Sequence, residues 1–524
     1  MRSKTAILAI PILLFLFFLS FSRGEAAVPT EVLQSLSEKL DHWDVEKAWS
    51  EAKGLLVKDP KDPKLLDLAS QIAFHRGDYQ QSLKLMKSSL EIEEEENRKH
   101  FVLFLEATIG VTEPLRRYES SHFAVSLDER QDGILADYIT DSLEKTYRFM
   151  AEHYGFSPGE KIRVEVFPDT KAFYYASSLS ARDIEVTGAV GIAQFNKLMV
   201  LSPRALVHGY RWLDAVCHEY MHYLIVKLTA NKAPIWFHEG LAKYDETRWR
   251  NGPSYLSPLY ETLLSRALSE GRLIQFEKME PSLVKLETPD DVQLAYAQAA
   301  SAIDFIIAKV GHDGLREIMK RMASSDKKGV SGSIKEVMGM EFVEFEKNWK
   351  DFLASKKLKG VDGVNVRRLK IKGGLADEER LDLEEIKSMV ARNRAYLGDR
   401  LNERGRRGAA VVEYRRALAE TPNSVPVLNK LSSVLISMDR EEEALELSIR
   451  SRDLSPDHPT AYANLGKIYL KHKDLKSATE SFQTVVEINP YNPEAHLGLA
   501  ETYEISGDRL KAQKEREIAK RLRQ

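Results

Sequence analysis

Residues 212–226 read WLDAVCHEYMHYLIV. On a helix His218 and His222 stand four positions apart, so both imidazoles leave the same face and can share a metal ion. Glu219, the next residue, falls along the edge of that face, where a general base for a metal-activated water belongs. The surrounding Trp212, Leu213, Val216, Met221, Leu224 and Ile225 make the helix mostly buried. Two histidines and a carboxylate in so apolar a segment are costly unless a partner satisfies them. The motif taken alone keeps a second reading, two core histidines hydrogen-bonded to backbone. A chain with 13 histidines contains an HExxH by chance in roughly a few per cent of cases.

The next segment, 233–246, reads APIWFHEGLAKYDE and brings Glu239 seventeen residues after His222. Pro234 suits the first turn of a new helix, and Trp236 and Phe237 anchor it against a core. A carboxylate from this second helix completes a His2Glu set and leaves the fourth zinc position open, as catalytic sites do. His238 lies about 100° from Glu239 around the helix, so the two cannot both face the metal. Cys217 adjoins His218 on another face and reads as a small buried apolar residue, not a nucleophile.

HEYMH followed by WFHEGLAKYDE resembles the gluzincin branch of the peptidase MA-like metalloproteases, which includes thermolysin-like and zinc aminopeptidase enzymes. That family carries Trp-x-x-Glu-Gly-x-Ala-x-Tyr after its HExxH, and Trp236, Glu239, Gly240, Ala242 and Tyr244 match it one for one. The resemblance implies one Zn2+ per chain on His218, His222 and Glu239, with Glu219 catalytic. It also implies that Glu246 supports a ligand histidine. The segment LAYAQAASAIDFIIAKVGHDGLREIMKRM is similar to the family's tyrosine-bearing helix. By that match Tyr296 donates a hydrogen bond to the oxyanion of the tetrahedral intermediate, its other reading being a packing tyrosine. One departure stands out. GAVGIAQFNKLMVL, from Gly188, lacks the glutamate with which zinc aminopeptidases read a free amine, so no such recognition is expected. Leu198–Leu201 is expected to be the edge strand against which an extended peptide pairs.

Around this site, 115–355 alternates β-rich runs (His122–Leu127, Lys161–Phe167, Leu198–Leu201) with amphipathic helical stretches (Ile134–His153, Leu294–Val310). This predicts an α+β domain. Beyond it a 34-residue period takes over. Ala410, Ala444, Ala478 and Ala512 keep it, with Pro422, Pro456 and Pro490 twelve residues after and Gly398, Ser432, Gly466 and Ala500 twelve before. Antiparallel helices cross closely at the small residues, and each proline ends a hairpin. The pattern resembles the tetratricopeptide repeat family, four units over 391–524 ending in a basic helix. A weaker copy (Ala48, Pro60, Ser70, Ser82) predicts about two hairpins over 28–112, with the acidic run Glu91 to Glu96 as a solvated helix face. Residues 356–388 read as a linker, its basic stretch Arg367 to Lys372 solvated.

The 524 residues suggest three or four domains. A net charge of −3 gives no reason to expect nucleic acid as a partner. Arg2 and Lys4 before the apolar run Ile7 to Phe21, with small residues near Ala26, predict a signal peptide over 1–27. The protein is then exported, periplasmic or extracellular, and bound to a membrane only if that segment stays uncleaved. With Cys217 the single cysteine, no internal disulfide is possible.

The fold class expected is thus multidomain, an α+β gluzincin-like metallopeptidase domain flanked by all-α tetratricopeptide-type repeats. Its expected function is zinc-dependent hydrolysis of peptide bonds, with the repeats recruiting substrate or partner proteins through their groove. The alternative is an envelope scaffold or chaperone-like repeat protein whose peptidase fold is silent.

Overall fold

The structure is a computed structural model that describes residues 28–250, 255–283, 286–324, 329–361, 363–364, 369–373 and 377–524. The segment read as a signal peptide lies outside these residues, as do Arg367 and Arg368. The chain divides into two compact units, the described residues up to Glu113 together with Phe173–Ser180, and Pro114–Ala172 with Ala181–Gln524.

The first unit contains α1 (Thr30–Asp41), α2 (Val45–Lys58), α3 (Pro63–Arg76), α4 (Tyr79–Ile92) and α5 (Glu96–Thr112). Ala48, Ser70 and Ser82 are fully buried. The Ser70 hydroxyl donates to Ser82 O at 2.7 Å and the Ser82 hydroxyl to Ser70 O at 2.7 Å, so α3 and α4 touch where the side chains are smallest. The acidic run is mostly exposed, as expected, but it does not lie on one helix face. It spans the break between α4 and α5, and Arg98, 4% exposed, reaches Glu93 at 3.1 Å, Glu95 at 3.5 Å and Asp67 at 3.5 Å. A buried guanidinium needs such partners, and the carboxylates around it supply them.

The second unit opens with β1 (Arg116–Glu119), β2 (Phe123–Leu127), the short α6 (Glu129–Asp132), α7 (Ala136–Tyr154) and β3 (Ile162–Phe167). Past α8 (Thr170–Ser177), whose residues from Phe173 on belong to the first unit, come α9 (Ala181–Thr187), β4 (Gly191–Gln194) and β5 (Lys197–Leu201). The five strands form one mixed sheet in the order β1-β2-β3-β5-β4, parallel across β2-β3-β5 and antiparallel at both edges. The expected edge strand is therefore corrected: Leu198–Leu201 lies in the interior strand β5, and β4 is the edge. Phe195 and Asn196, both at φ 55°, form the two-residue turn that folds β4 back onto β5.

Helices then dominate: α10 (Trp212–Thr229), α11 (Ile235–Asp245), α12 (Pro258–Glu270), α13 (Pro289–Ser324, broken at Gly311), α14 (Gly329–Met338), α15 (Phe342–Ser355) and α16 (Asp377–Glu385). Four hairpins complete the chain: α17 (Met389–Glu403) with α18 (Arg407–Glu420), α19 (Val425–Ile436) with α20 (Glu441–Leu454), α21 (Pro459–Lys471) with α22 (Leu475–Ile488), and α23 (Pro493–Ile505) with α24 (Arg509–Leu522). The four periodic alanines are buried. A Cβ on Gly466 would lie 2.7 Å from the Phe482 ring, and the Ser432 hydroxyl donates to Ala444 O at 3.0 Å.

The hairpins are fastened to the segment that leads into α10. Trp212 Nε1 donates to Val486 O and Tyr210 N to Ile488 O, each at 3.0 Å. Gly209 sits at φ 69°, and a Cβ there would fall 2.1 Å from Ile488 O, so only glycine permits this approach. Arg211 adds ion pairs to Glu487 at 3.0 Å and Asp457 at 3.2 Å.

Candidate metal centre

Fourteen of the 18 residues of α10 are buried, including His218 and Glu219. A helix apolar on nearly every side belongs in the middle of a fold, and α10 packs against β4, β5, α7, α11 and α13. Its last turn ends at Ala230 in the left-handed region, which turns the chain towards α11. Pro234 stands at the cap position, one residue earlier than a first-turn proline. Trp236 anchors α11 by packing on Phe276, ring centroids 4.8 Å apart, with Phe342 and Phe345 at 6.3 Å. Gly240 fixes its depth, since a Cβ there would lie 2.5 Å from Ala299 O of α13.

These contacts bring His218, His222 and Glu239 together, one ligand-type atom from each lying within 4.8 Å of the others. Glu239 Oε2 is 3.3 Å from His218 Nε2 and 3.5 Å from His222 Nε2. Two donors bound to one zinc ion at about 2.0–2.2 Å with tetrahedral angles stand roughly 3.3–3.5 Å apart. The donor set and its spacing fit a divalent ion. His238 remains outside the trio, its ring centroid 5.6 Å from that of His222.

The remaining groups arrange charge around this trio. His218 Nδ1 is 3.1 Å from Glu246 Oε2, which fixes the imidazole so that Nε2 turns towards Glu239. Glu246 is held in turn by Lys243 Nζ at 2.9 Å from both its oxygens. Burial pulls the His218 pKa down, but its bonds to Glu239 and Glu246 win and hold it up at about 9. Burial pushes Glu239 up, yet His222 and His218 hold its carboxyl well below the usual range. Burial takes His238 down to about 3, with the neighbouring His222 adding to the effect. A buried site with this much carboxylate attracts positive charge strongly.

Glu219 lies beside the trio and is 5% exposed. Burial raises its pKa against the lowering pull of His222 and His218. Its Oε2 has no hydrogen-bond partner among the described residues. The carboxylate lies against β4: a Cβ on Gly191 would fall 2.6 Å from Glu219 Oε1, so glycine is what lets the edge strand approach. Tyr296, on α13, has its ring centroid 6.5 Å from that of His218. Lys243 Nζ is 5.9 Å from the Tyr296 ring centre. Cys217 is fully buried; burial lifts its thiol to about 12, and it accepts a hydrogen bond from the Thr146 hydroxyl at 3.1 Å. That is no nucleophile.

Sequence reasoning missed Gly191 and Lys243. A signal for Lys243 was present, since it precedes Glu246 by three residues on a helix. Gly191 had none, because nothing local ties it to Glu219.

Residues 150–355 match the profile of the Peptidase MA superfamily, and 459–492 that of a tetratricopeptide repeat. Among curated proteins, the type IV pilus assembly protein PilF of Pseudomonas aeruginosa is 32% identical over 91 residues, 17% of this chain and 36% of its own length. The small glutamine-rich tetratricopeptide repeat-containing protein 2 of Mycosarcoma maydis is 26% identical over 130 residues, 25% of this chain and 33% of its own length. The chain thus spans about a third of the length of the curated relatives it matches. Among solved structures, TTC0263, a thermophilic TPR protein in Thermus thermophilus, is 25% identical with a TM-score of 0.24, covering 25% of this chain and 74% of its own. MamA from Desulfovibrio magneticus RS-1 is 20% identical with a TM-score of 0.24, covering 28% of this chain and 86% of its own. The chain joins a Peptidase MA superfamily region to tetratricopeptide repeats.

Proposed function

We propose that the protein is an exported zinc-dependent peptidase of the gluzincin type, with repeats that recruit protein substrates or partners. The observation that carries this reading is the convergence of His218, His222 and Glu239, from two helices, beside the buried carboxylate of Glu219. Zinc held by those three side chains supplies Lewis acidity to a scissile carbonyl and acidifies water.

The chain's own residues do the rest. Glu219 takes the proton of the attacking water and passes it to the leaving amine, a role that contributes about 10²–10⁴-fold in rate. The Tyr296 hydroxyl donates to the oxygen of the tetrahedral carbon. Glu246 keeps the His218 ring oriented through Nδ1, and Lys243 keeps Glu246 ionised. An extended peptide pairs with the free edge of β4, which brings its backbone alongside Glu219. Export rests on the N-terminal apolar run, and recruitment on the four hairpins.

The test is zinc content of the purified protein together with casein digestion, with and without chelator. Stoichiometric zinc and chelator-sensitive digestion support the reading, with Glu219→Gln keeping zinc and losing digestion. Stoichiometric zinc without turnover on any protein substrate favours the scaffold or chaperone-like role, in which the repeats alone act.

A further inference from the structure

A second cluster of metal-ligand side chains lies away from α11, where three parts of the second unit meet. His208 comes from the segment before α10, Asp382 from α16, and His458 from the cap position of α21. One ligand-type atom from each lies within 4.8 Å of the others. His208 Nε2 is 3.0 Å from Asp382 Oδ1, and the two imidazole centroids are 4.7 Å apart. His208 and His458 are 5% and 1% exposed. We propose that these three residues bind a second zinc ion, which fastens α16 and the repeats to the segment entering α10.

The donor set is that of a borderline divalent metal, two imidazoles and one carboxylate. The scaffold is fixed on both sides of His208. Val207 N donates to Lys370 O at 3.0 Å, Lys372 N donates to Ala205 O at 2.8 Å, and Leu206 bridges Ile371. On the other side Tyr210 N donates to Ile488 O. The backbone that carries His208 is therefore set by contacts independent of any ion, which is the preorganisation a metal site needs.

The tautomer of His458 must change on loading. Its Nδ1 accepts from Thr460 N at 3.3 Å and contacts Asn429 Nδ2 at 3.4 Å, so the ring proton sits on Nε2. Coordination through Nε2 requires the proton on Nδ1. A half-turn of the Asn429 amide turns its oxygen towards Nδ1 and supplies that acceptor. The Ser451 hydroxyl, which donates to Asn429 Oδ1 at 2.7 Å, then accepts from the amide nitrogen. The long Thr460 contact and the Ser451 donation to Asn429 are given up.

The experiment counts zinc in the full chain after equilibrium dialysis against zinc alone. The wild type should hold two equivalents, His218→Ala/His222→Ala one, and that background with Asp382→Asn or His458→Gln none. Asp382→Asn is nearly isosteric, which keeps the folded chain available for counting. Circular dichroism confirms the fold of each variant. Cobalt loaded on the His218→Ala/His222→Ala background should give visible bands that vanish with Asp382→Asn. One equivalent in the wild type that is lost in His218→Ala/His222→Ala overturns the second site. So does an equivalent that survives Asp382→Asn and His458→Gln. A wild type that holds one equivalent, kept in His218→Ala/His222→Ala and lost with Asp382→Asn, would sink the peptidase reading and leave this one standing.

Discussion

Helices α10 and α11 bury titratable groups where they face one another, whereas the C-terminal hairpins bury alanine, glycine and serine where their helices cross. In the first place His218, Glu219 and Glu239 crowd into one pocket. In the second, Ser432, Ala444, Gly466 and Ala478 let helices touch and satisfy one another locally. The hairpins derive stability from many small, nearest-neighbour contacts. The α10–α11 pair concentrates charge whose burial is costly without a counter-charge, which is what a site built for a cation looks like.

The largest effect that sharpens this contrast is expected at the ligands. His218→Ala should abolish stoichiometric zinc binding at that cluster and bring casein hydrolysis to the assay floor, while thermal unfolding of the repeats changes little. Zinc analysis beside calorimetry checks it; retained activity would break the comparison. Next comes the support behind the ligand. Glu246→Gln and Lys243→Met should each weaken zinc affinity by about 10–100-fold, because both act through the orientation and basicity of His218. Competition with a chelator of known affinity measures that.

Packing changes follow. Gly240→Ala forces a methyl group to within 2.5 Å of the Ala299 carbonyl oxygen, and backbone cannot step aside as a side chain can. A loss of about 1–3 kcal/mol is expected in denaturant unfolding, with zinc affinity falling because α11 is lifted off α13. In the hairpins Ser432→Ala removes hydroxyl bonds to Ala444 O and to Ser448. It should cost only about 1 kcal/mol and leave zinc unaffected.

The smallest effect concerns Asp132, where the hairpins meet the sheet region. Its carboxylate accepts from the Tyr491 hydroxyl, the Ser202 hydroxyl at 2.9 Å and Arg204 Nε at 2.9 Å. Burial outweighs the lowering by Tyr491 and Arg204 and leaves its pKa above 3.8. The folded state thus holds this proton at a pH where the unfolded chain has lost it. This group's contribution is therefore fully present below the unfolded value and is lost as pH rises through the raised folded one. The melting temperature of wild type relative to Asp132→Asn should rise as pH falls from about 7 towards 4. An unchanged difference would show that the carboxyl titrates normally.

Several elements were legible because their signal is local. The four-residue spacing of His218 and His222 survives any packing of the helix, and the 34-residue period of Ala410 to Ala512 marks the hairpins. Strand β4 was missed. GIAQ has little β-propensity, and only pairing with β5 makes it a strand. Strand β1, RRYE, is largely exposed at the other edge, so it carries no alternation of buried residues to read. The acidic run reads as one helix face, but the chain breaks between α4 and α5 within it, and composition alone does not mark that break.

The sequence by itself determined the two imidazoles on one helical face, the carboxylate seventeen residues on, and the repeat period. Each of these is a distance along a chain whose local geometry is known. Tertiary structure decided that Glu239 comes within 3.5 Å of both histidines, that Gly191 admits Glu219, and that His208, Asp382 and His458 meet. Those last three are separated by 174 and 76 residues (382 minus 208, 458 minus 382). No period or propensity links positions so far apart. Only the burial of apolar surface between the sheet region and the hairpins brings them into one place.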